Sequence, residues 1–283
     1  MSASYKAIHP VSYFTNYLSR DIRPDGRKFD EHRNVKLNVD CLKTADASSV
    51  VKCGNTSVVC GIQLELSTPK AEKPNLGFLV VNVELLPISS IKTKPGPPSE
   101  HAQVMNKVVS DIIQQSNCVD LKDLCIVPDK LAWVVHCDAV CIDNDGSIVD
   151  ACVIGLMACL KTLTLPSVSF DTETEEIDVD ANNRTPLKVS GLPVATSFCI
   201  LENNQRVIAL TEPSSYEEEM CGGLGANLVV CWNEGLISGV QKFGGHNLTR
   251  ECQKQAFQIA KERSKVVQNL IDVCINNAEN ENT

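Results

Sequence analysis

Ile148 to Leu163 is apolar on nearly every side, with Asp150 and Lys161 its only charges. A helix without a polar face has to be enclosed by its own protein or by a partner. The turn residues Asp143-Asn144-Asp145-Gly146 start this helix, and the β-branched and aromatic run Leu131–Ile142 leads into the turn as a strand. The stretch is too short to span a bilayer. A layered fold closed around this segment is the first expectation.

Upstream, Val35–Val39, Ser48–Lys52 and Ser57–Leu66 read as strands, the last two joined by a Gly54-Asn55 turn. Ile62, Leu64 and Leu66 alternate with Gln63 and Glu65, the pattern of a half-buried strand. Phe78–Leu86 is a further apolar strand, and Pro95-Gly96-Pro97-Pro98 stops any regular element. Ser99 then caps a helix with Met105, Val108, Val109, Ile112 and Ile113 on one face. Downstream, strands are expected near Thr196–Leu201, Val207–Leu210, Ala226–Trp232 and Leu236–Lys242, followed by a helix from Leu248 to about Asn276. Strands then helix, twice over, predict an α+β fold of two related βα halves. The expected organisation is an N-terminal helical segment (1–22), a first half (23–165), a connection (166–194), a second half (195–276) and a frayed polar tail (277–283).

The net charge of −9 and pI of about 5.1 argue against a stand-alone RNA binder, because neutralising phosphates supplies most non-specific affinity. A subunit whose neighbours provide the positive field is compatible with that balance. No signal peptide is expected from MSASYKAIHPVSYF. Of the 14 cysteines none forms a CxxC pair, and Cys60, Cys137, Cys141, Cys152, Cys159, Cys199 and Cys231 sit in apolar runs, so they read as small buried hydrophobes.

Four segments invite a chemical reading. Arg23-Pro24-Asp25-Gly26-Arg27 brackets a tight turn with two arginines and reads as a structural turn or interface. Asp145-Gly146-Ser147-Ile148-Val149-Asp150 opens the enclosed helix, where free amides and the dipole favour an anion. Only Ser147 offers a hydroxyl there, and two aspartates oppose phosphate, so a capped helix start is expected. Gly222-Gly223-Leu224-Gly225 reads as a glycine-rich turn before a strand, and Glu217–Glu219 as a solvated acidic face on a loop. The five histidines share no ligand spacing, so no metal site, cofactor or catalytic set is nominated.

Together the segments Arg23–Arg27, Ala45–Thr56, Pro95–Glu100, Asp145–Ala151 and Pro193–Phe198 resemble the RNase PH family, in family order and over roughly residues 10–275. They are most similar to the non-catalytic subunits of the eukaryotic RNA exosome ring. The resemblance implies the RNase PH fold, that is, the ribosomal protein S5 domain 2-like fold, with mixed sheets and packed helices. It also implies a phosphate-dependent 3′-to-5′ exoribonuclease ancestry. Active members use an arginine-bearing segment after the fourth strand, a phosphate-holding turn, and acidic residues beside the second-half strands. Here Arg is absent from Asn34 to Asn183, so the first of these offers only Lys92 and Lys94, weak candidates for RNA contact. The turn carries Ser147, Ile148 and Val149, and the acidic positions carry Ala209, Thr211 and Gly225. The implied role is a catalytically inert structural subunit. Its implied partners are other RNase PH-like subunits in a six-membered ring, RNA-binding cap subunits, a separate exoribonuclease, and RNA through the central channel. No membrane association is implied, and the expected location is nucleus, nucleolus and cytoplasm. The alternative is a phosphorolytic exoribonuclease active only within a complex.

Overall fold

The computed structural model describes residues 6, 8–91, 93–171, 176–203, 206–245 and 247–282. A nine-residue helix α1 (Pro10–Leu18) leads through the Arg23–Arg27 turn to strands β1 (Val35–Val39), β2 (Ala47–Cys53) and β3 (Thr56–Ser67). Strand β4 (Phe78–Leu85), helix α2 (Glu100–Gln115), the short β5 (Cys125–Val127), strand β6 (Leu131–Asp143) and helix α3 (Ile148–Thr162) complete the first half. These strands form one mixed sheet in the order β1-β2-β3-β6-β4, with β5 on β6. The β4–β6 pair is parallel and the others antiparallel. Ser99 caps α2 as its spacing predicts, its side chain accepting the Ala102 amide at 3.2 Å.

Residues 166–194 fold into a hairpin with their predecessors, β7 (Thr164–Phe170) against β8 (Ile177–Pro186), whose strand β8 is exposed along its whole length. The second half is a four-stranded antiparallel sheet, β9 (Val194–Asn203), β10 (Arg206–Thr211), β11 (Gly225–Asn233) and β12 (Leu236–Phe243), in the order β10-β9-β11-β12. Helix α4 (Ser215–Leu224) stands between β10 and β11, and helix α5 runs from Arg250 to Asn282. Two expectations are corrected here. The acidic run and the first three residues of the glycine-rich segment are helix α4, not a loop, and α5 continues past the expected start of a frayed tail at 277.

Helix α3 explains the layering. Every residue from Ile148 to Leu160 is buried, and the helix packs on β2 and β3 on one side and on β9 on the other. The enclosure is therefore supplied by the chain itself, with one sheet from each half. Gly155 lets α3 approach β2 and β3 closely, since a Cβ there would lie 2.5 Å from Cys60 Sγ. The seven cysteines assigned to the interior are all buried and unpaired. Burial pushes the Cys159 thiol up to about 12, so it stays protonated and packs as a small hydrophobe.

Candidate functional site

The N-terminus of α3 meets the N-terminus of α4 across a buried polar network, and both ends are built by recognisable local chemistry. Ser214 and Glu217 form a capping box: the Ser214 hydroxyl accepts the Glu217 amide at 3.4 Å, and Glu217 Oε2 accepts the Ser214 amide at 2.8 Å. At α3, Ser147 sits in the left-handed region at φ +53° and its side chain does not cap the helix. Its hydroxyl instead donates to Pro213 O at 3.0 Å, and its amide donates to Glu218 Oε1 at 2.8 Å. One of the amides that would greet an anion at this helix end is thus taken by the chain's own carboxylate.

Four arginines hold this junction. Arg33 Nη2 donates to Asp145 O and Pro213 O, both at 2.7 Å, and its Nη1 lies 3.4 Å from Gly146 O. Glu212 receives the Arg33 amide at 2.6 Å and pairs with Arg263 Nη2 at 2.7 Å, with His32 Nδ1 at 3.3 Å. Burial pushes the Glu212 carboxyl up, but the His32 hydrogen bond, the Arg263 charge and the Arg33 amide outweigh it and hold the group below its ordinary value. Arg23 is fully buried and chelates Glu217: Nε donates to Oε1 at 2.8 Å and Nη2 to Oε2. Its remaining donors reach Thr211 O at 2.8 Å and Glu212 O at 3.3 Å. Arg27 closes the turn on Asp25 Oδ2 at 2.7 Å, with Gly26 between them at φ +89°. The Arg23–Arg27 segment therefore ties the N-terminal helix to the second half.

Beside this junction lies a cavity of about 590 Å³. Ser147, Ile148 and Val149 line it, together with Glu218, Glu219, His101, Ser215 and Asn227, and apolar walls that include Leu85, Met105, Phe198 and Phe243. Its described lining includes no Lys or Arg. Burial raises the Glu218 carboxyl to about 7, against the opposing pull of the Ser147 amide and the Arg33 charge; Asp145 and Glu217 push it further up. Glu218 is half-buried by solvent contact because it faces the cavity, yet protein surrounds it closely.

Ala209, Thr211 and Gly225 are not among the described residues lining the cavity. Ala209 packs with Phe198 and Leu228 on the second sheet. Thr211 lends its carbonyl to Arg23. Gly225 has no room for a carboxylate, since even a Cβ would fall 2.0 Å from Ile200 O. Acidity in the cavity comes instead from Glu218 and Glu219, which lie on helix α4 and not on the solvated loop that three consecutive acids suggest. The signal that locates them is Ser214-x-x-Glu217, a helix start just ahead of the run. Lys94 is exposed on the loop before Ser99, beside Thr93 of the cavity lining but not itself among the lining residues; Lys92 lies outside the described residues.

Behind the cavity, Asp150 is fully buried, its Oδ2 and Oδ1 accepting the Ser197 amide at 2.9 Å and hydroxyl at 2.7 Å. Burial, and next the Glu212 charge, raise this carboxyl to about 8. An acid raised on folding binds its proton more tightly in the folded state, so stability falls as pH climbs from the unfolded value near 4 towards 8. Asp150→Asn, which keeps an acceptor for the Ser197 amide, is expected to be stabilising by on the order of 1–3 kcal/mol at pH 7 and nearly neutral below pH 4. Urea midpoints measured across that range check it, and an Asn variant less stable at pH 7 would contradict it.

With the geometry in place, comparison with known proteins is specific. Residues 31–166 match the RNase PH model of the 3′ exoribonuclease family, domain 1. The chain is 33% identical over 260 residues to the exosome complex component rrp43 of Schizosaccharomyces pombe, covering 92% of this chain and 94% of that protein. It is 32% identical over 272 residues to the exosome complex component Rrp42 of Pyrococcus furiosus, covering 94% and 95%. The fold superposes with a TM-score of 0.79, at 28% identity, on a chain of the Archaeoglobus fulgidus exosome with RNA bound to the active site, covering 92% of this chain and 96% of that one.

Proposed function

The chain belongs to the RNase PH family of 3′ exoribonucleases, and we propose that within that family it is a ring-building exosome subunit with no phosphorolytic chemistry of its own. The observation that carries this reading is Glu218, whose side chain is seated at the head of α3 and accepts the Ser147 amide there. Phosphorolysis needs inorganic phosphate held next to an RNA 3′ end. Here an arriving phosphate meets a seated carboxylate and a second one at Glu219. The described lining holds no guanidinium to grip a phosphate. Removing one preorganised donor at a site of developing charge lowers a rate by about 10²–10³. Losing the phosphate grip and seating a carboxylate in its place leaves turnover near background.

In this reading the shell of the fold is kept for assembly. The subunit joins other RNase PH-like subunits in a six-membered ring, with RNA-binding cap subunits above. RNA passes through the central channel to a separate exoribonuclease, in nucleus, nucleolus and cytoplasm. Support comes from the names of the relatives, which are exosome components along nearly their whole length. Ser147 gives no support to a hidden phosphorolytic site completed by a neighbour, because both its amide and its hydroxyl already have partners within the chain. The test is direct. Single-stranded RNA and inorganic phosphate incubated with the purified chain are expected to release no nucleoside diphosphate, while affinity-purified chain brings down other RNase PH-like subunits. Steady diphosphate release that Ser147→Ala abolishes would overturn the inert assignment, and recovery of the chain without such subunits would overturn the ring.

A further inference from the structure

The β7–β8 hairpin is a sheet of its own, joined to neither of the larger sheets, and β8 is exposed at every position. Its ladder decides which backbone groups face outward. The Asp171 amide donates to Glu176 O at 3.1 Å, so these two residues form a hydrogen-bonded pair. Bonded and non-bonded pairs alternate along an antiparallel ladder. Ile177 opposite Phe170 and Val179 opposite Val168 are therefore non-bonded pairs, and the amides and carbonyls of Ile177 and Val179 point to the free edge. On β4, an edge of the large sheet, Asn106 Oδ1 takes the Val83 amide at 3.2 Å. Ile177 and Val179 have no such cap among the described residues. A bare edge of this kind is a template for another strand.

The two faces of the strand differ. Val168 packs against the main core, and Ile177 and Val179 share its side of the hairpin while staying 46% and 44% exposed. Asp178 and Asp180 stand on the other side, across from the exposed Ser169 and Ser167. Residues 171–180 carry six acidic side chains and no Lys or Arg. Arg184, beyond a step where the ladder skips 181–183, is engaged with Ala181 O and Asp46. A second copy of β8 laid on this edge, with the apolar rows aligned, sets aspartate against aspartate, which opposes self-pairing. The phosphates of a nucleic acid are repelled as well.

We propose that β8 docks an extended segment of a protein partner in which apolar residues alternate with Lys or Arg. The apolar side chains continue the row of Ile177 and Val179, and the cations face Asp178 and Asp180. The segment's backbone takes the outward amides and carbonyls of Ile177 and Val179, adding a third strand to the hairpin. The ladder runs unbroken only from Ile177 to Asp180, so the match is short. The inference rests on the hairpin and not on inertness or ring membership, so it stands or falls separately from the function proposed above.

The probe is a blocked heptapeptide of alternating valine and lysine, titrated into the full chain and followed by the chain's amide NMR signals. Its controls carry glutamate in place of lysine, or N-methyl groups on alternate residues. Saturable binding of the lysine peptide is expected, at least about tenfold tighter than the glutamate peptide. It should shift the amides of Ile177 to Asp180 and slow hydrogen exchange at Ile177 and Val179, and N-methylation should abolish it. Asp178→Asn with Asp180→Asn keeps an acceptor for the Asn182 amide and should erase the lysine preference. Val179→Pro removes one outward amide and leaves the β7 ladder its bonds, and it should weaken binding. All three positions are exposed, so both variants are expected to fold. No saturable binding, equal affinity for the lysine and glutamate peptides, binding that survives N-methylation, or a preference untouched by the double substitution each overturns the proposal. Self-association of the chain that Val179→Pro abolishes would assign the edge to a second copy, and competition by single-stranded RNA would assign the surface to nucleic acid. Either result overturns it too.

Discussion

Arg23→Ala is expected to lower the unfolding free energy by about 3–5 kcal/mol, the cost of stranding one member of a buried ion pair. The guanidinium has no solvent contact and Glu217 almost none, so no water replaces the lost donors. Removing it takes the Thr211 carbonyl's side-chain donor and the bidentate charge partner of Glu217, which keeps only the Ser214 groups as hydrogen-bond donors on Oε2, while the Glu212 carbonyl retains Arg27 Nη2 at 3.1 Å. Arg23→Lys should rescue little, because a point charge cannot reproduce a fork that reaches a carboxylate and two carbonyls together. The paired replacement Arg23→Met with Glu217→Leu should recover only the part of the loss due to the stranded charge, since the Thr211 carbonyl and the Ser214 amide stay without their partners. Urea denaturation of the four proteins measures this. A loss below about 1 kcal/mol for Arg23→Ala would mean that the pair behaves as a surface contact. The same substitution should free α1, whose Phe14 packs edge-on to Tyr216 at 5.9 Å and whose Pro10 carbonyl accepts the Tyr216 hydroxyl at 3.0 Å.

The second large effect is at Gly146. Its φ is +83°, a region that L side chains avoid, and a Cβ there would lie 2.5 Å from Pro213 O and 2.7 Å from Ser215 N. Both obstacles are backbone, which cannot swing aside, so Gly146→Ala is expected to cost about 2–4 kcal/mol. It should also push α4 from α3, loosening the Arg33 contacts to Asp145 and Pro213. Gly26→Ala is the internal control. Its φ is similar at +89° but nothing lies within 4 Å, so it should lose only the backbone part, about 1 kcal/mol. Equal losses at the two positions would show that conformation alone, and not the contact with α4, decides the cost.

The first half was legible because its signals are local. The β2–β3 hairpin, the Ser99 cap and the featureless apolar stripe of α3 each follow from residues adjacent in the chain. The junction that builds the site was less legible, because its partners are far apart in sequence. Nothing around Arg23 says that its counter-charge is Glu217, and nothing around Ser147 says that its amide is taken by Glu218. The acidic run was misplaced for a nearer reason: weighed as three like charges it looks solvated, whereas Ser214 and Glu217 already mark a helix start that aims Glu217 and Glu218 inward. Ala209 and Thr211 lie on β10, one strand removed from the lining residues of β9, and Gly225 opens β11 just short of the residues of that strand that line the space. Distinguishing a strand that lines a cavity from the one behind it needs the register of β9, β10 and β11, which one sequence does not carry.

Helix α3 has a consequence for the chain as a whole. Because one buried core cluster runs from Val35 through α3 to Ile275, the boundary near residue 166 divides the polypeptide but not the interior. The second portion keeps a cluster of its own around Phe198, Leu228 and Ala256 on the outer face of its sheet, but neither is closed alone: expressed apart, the first would bare the flank of α3 that β9 covers, and the second would lack the wedge that its sheet rests on. Severing the exposed hairpin at 164–186 should therefore leave two fragments that remain clasped and melt together. Exchanging halves among relatives would succeed only when the wedge travels with residues shaped for both of its sides.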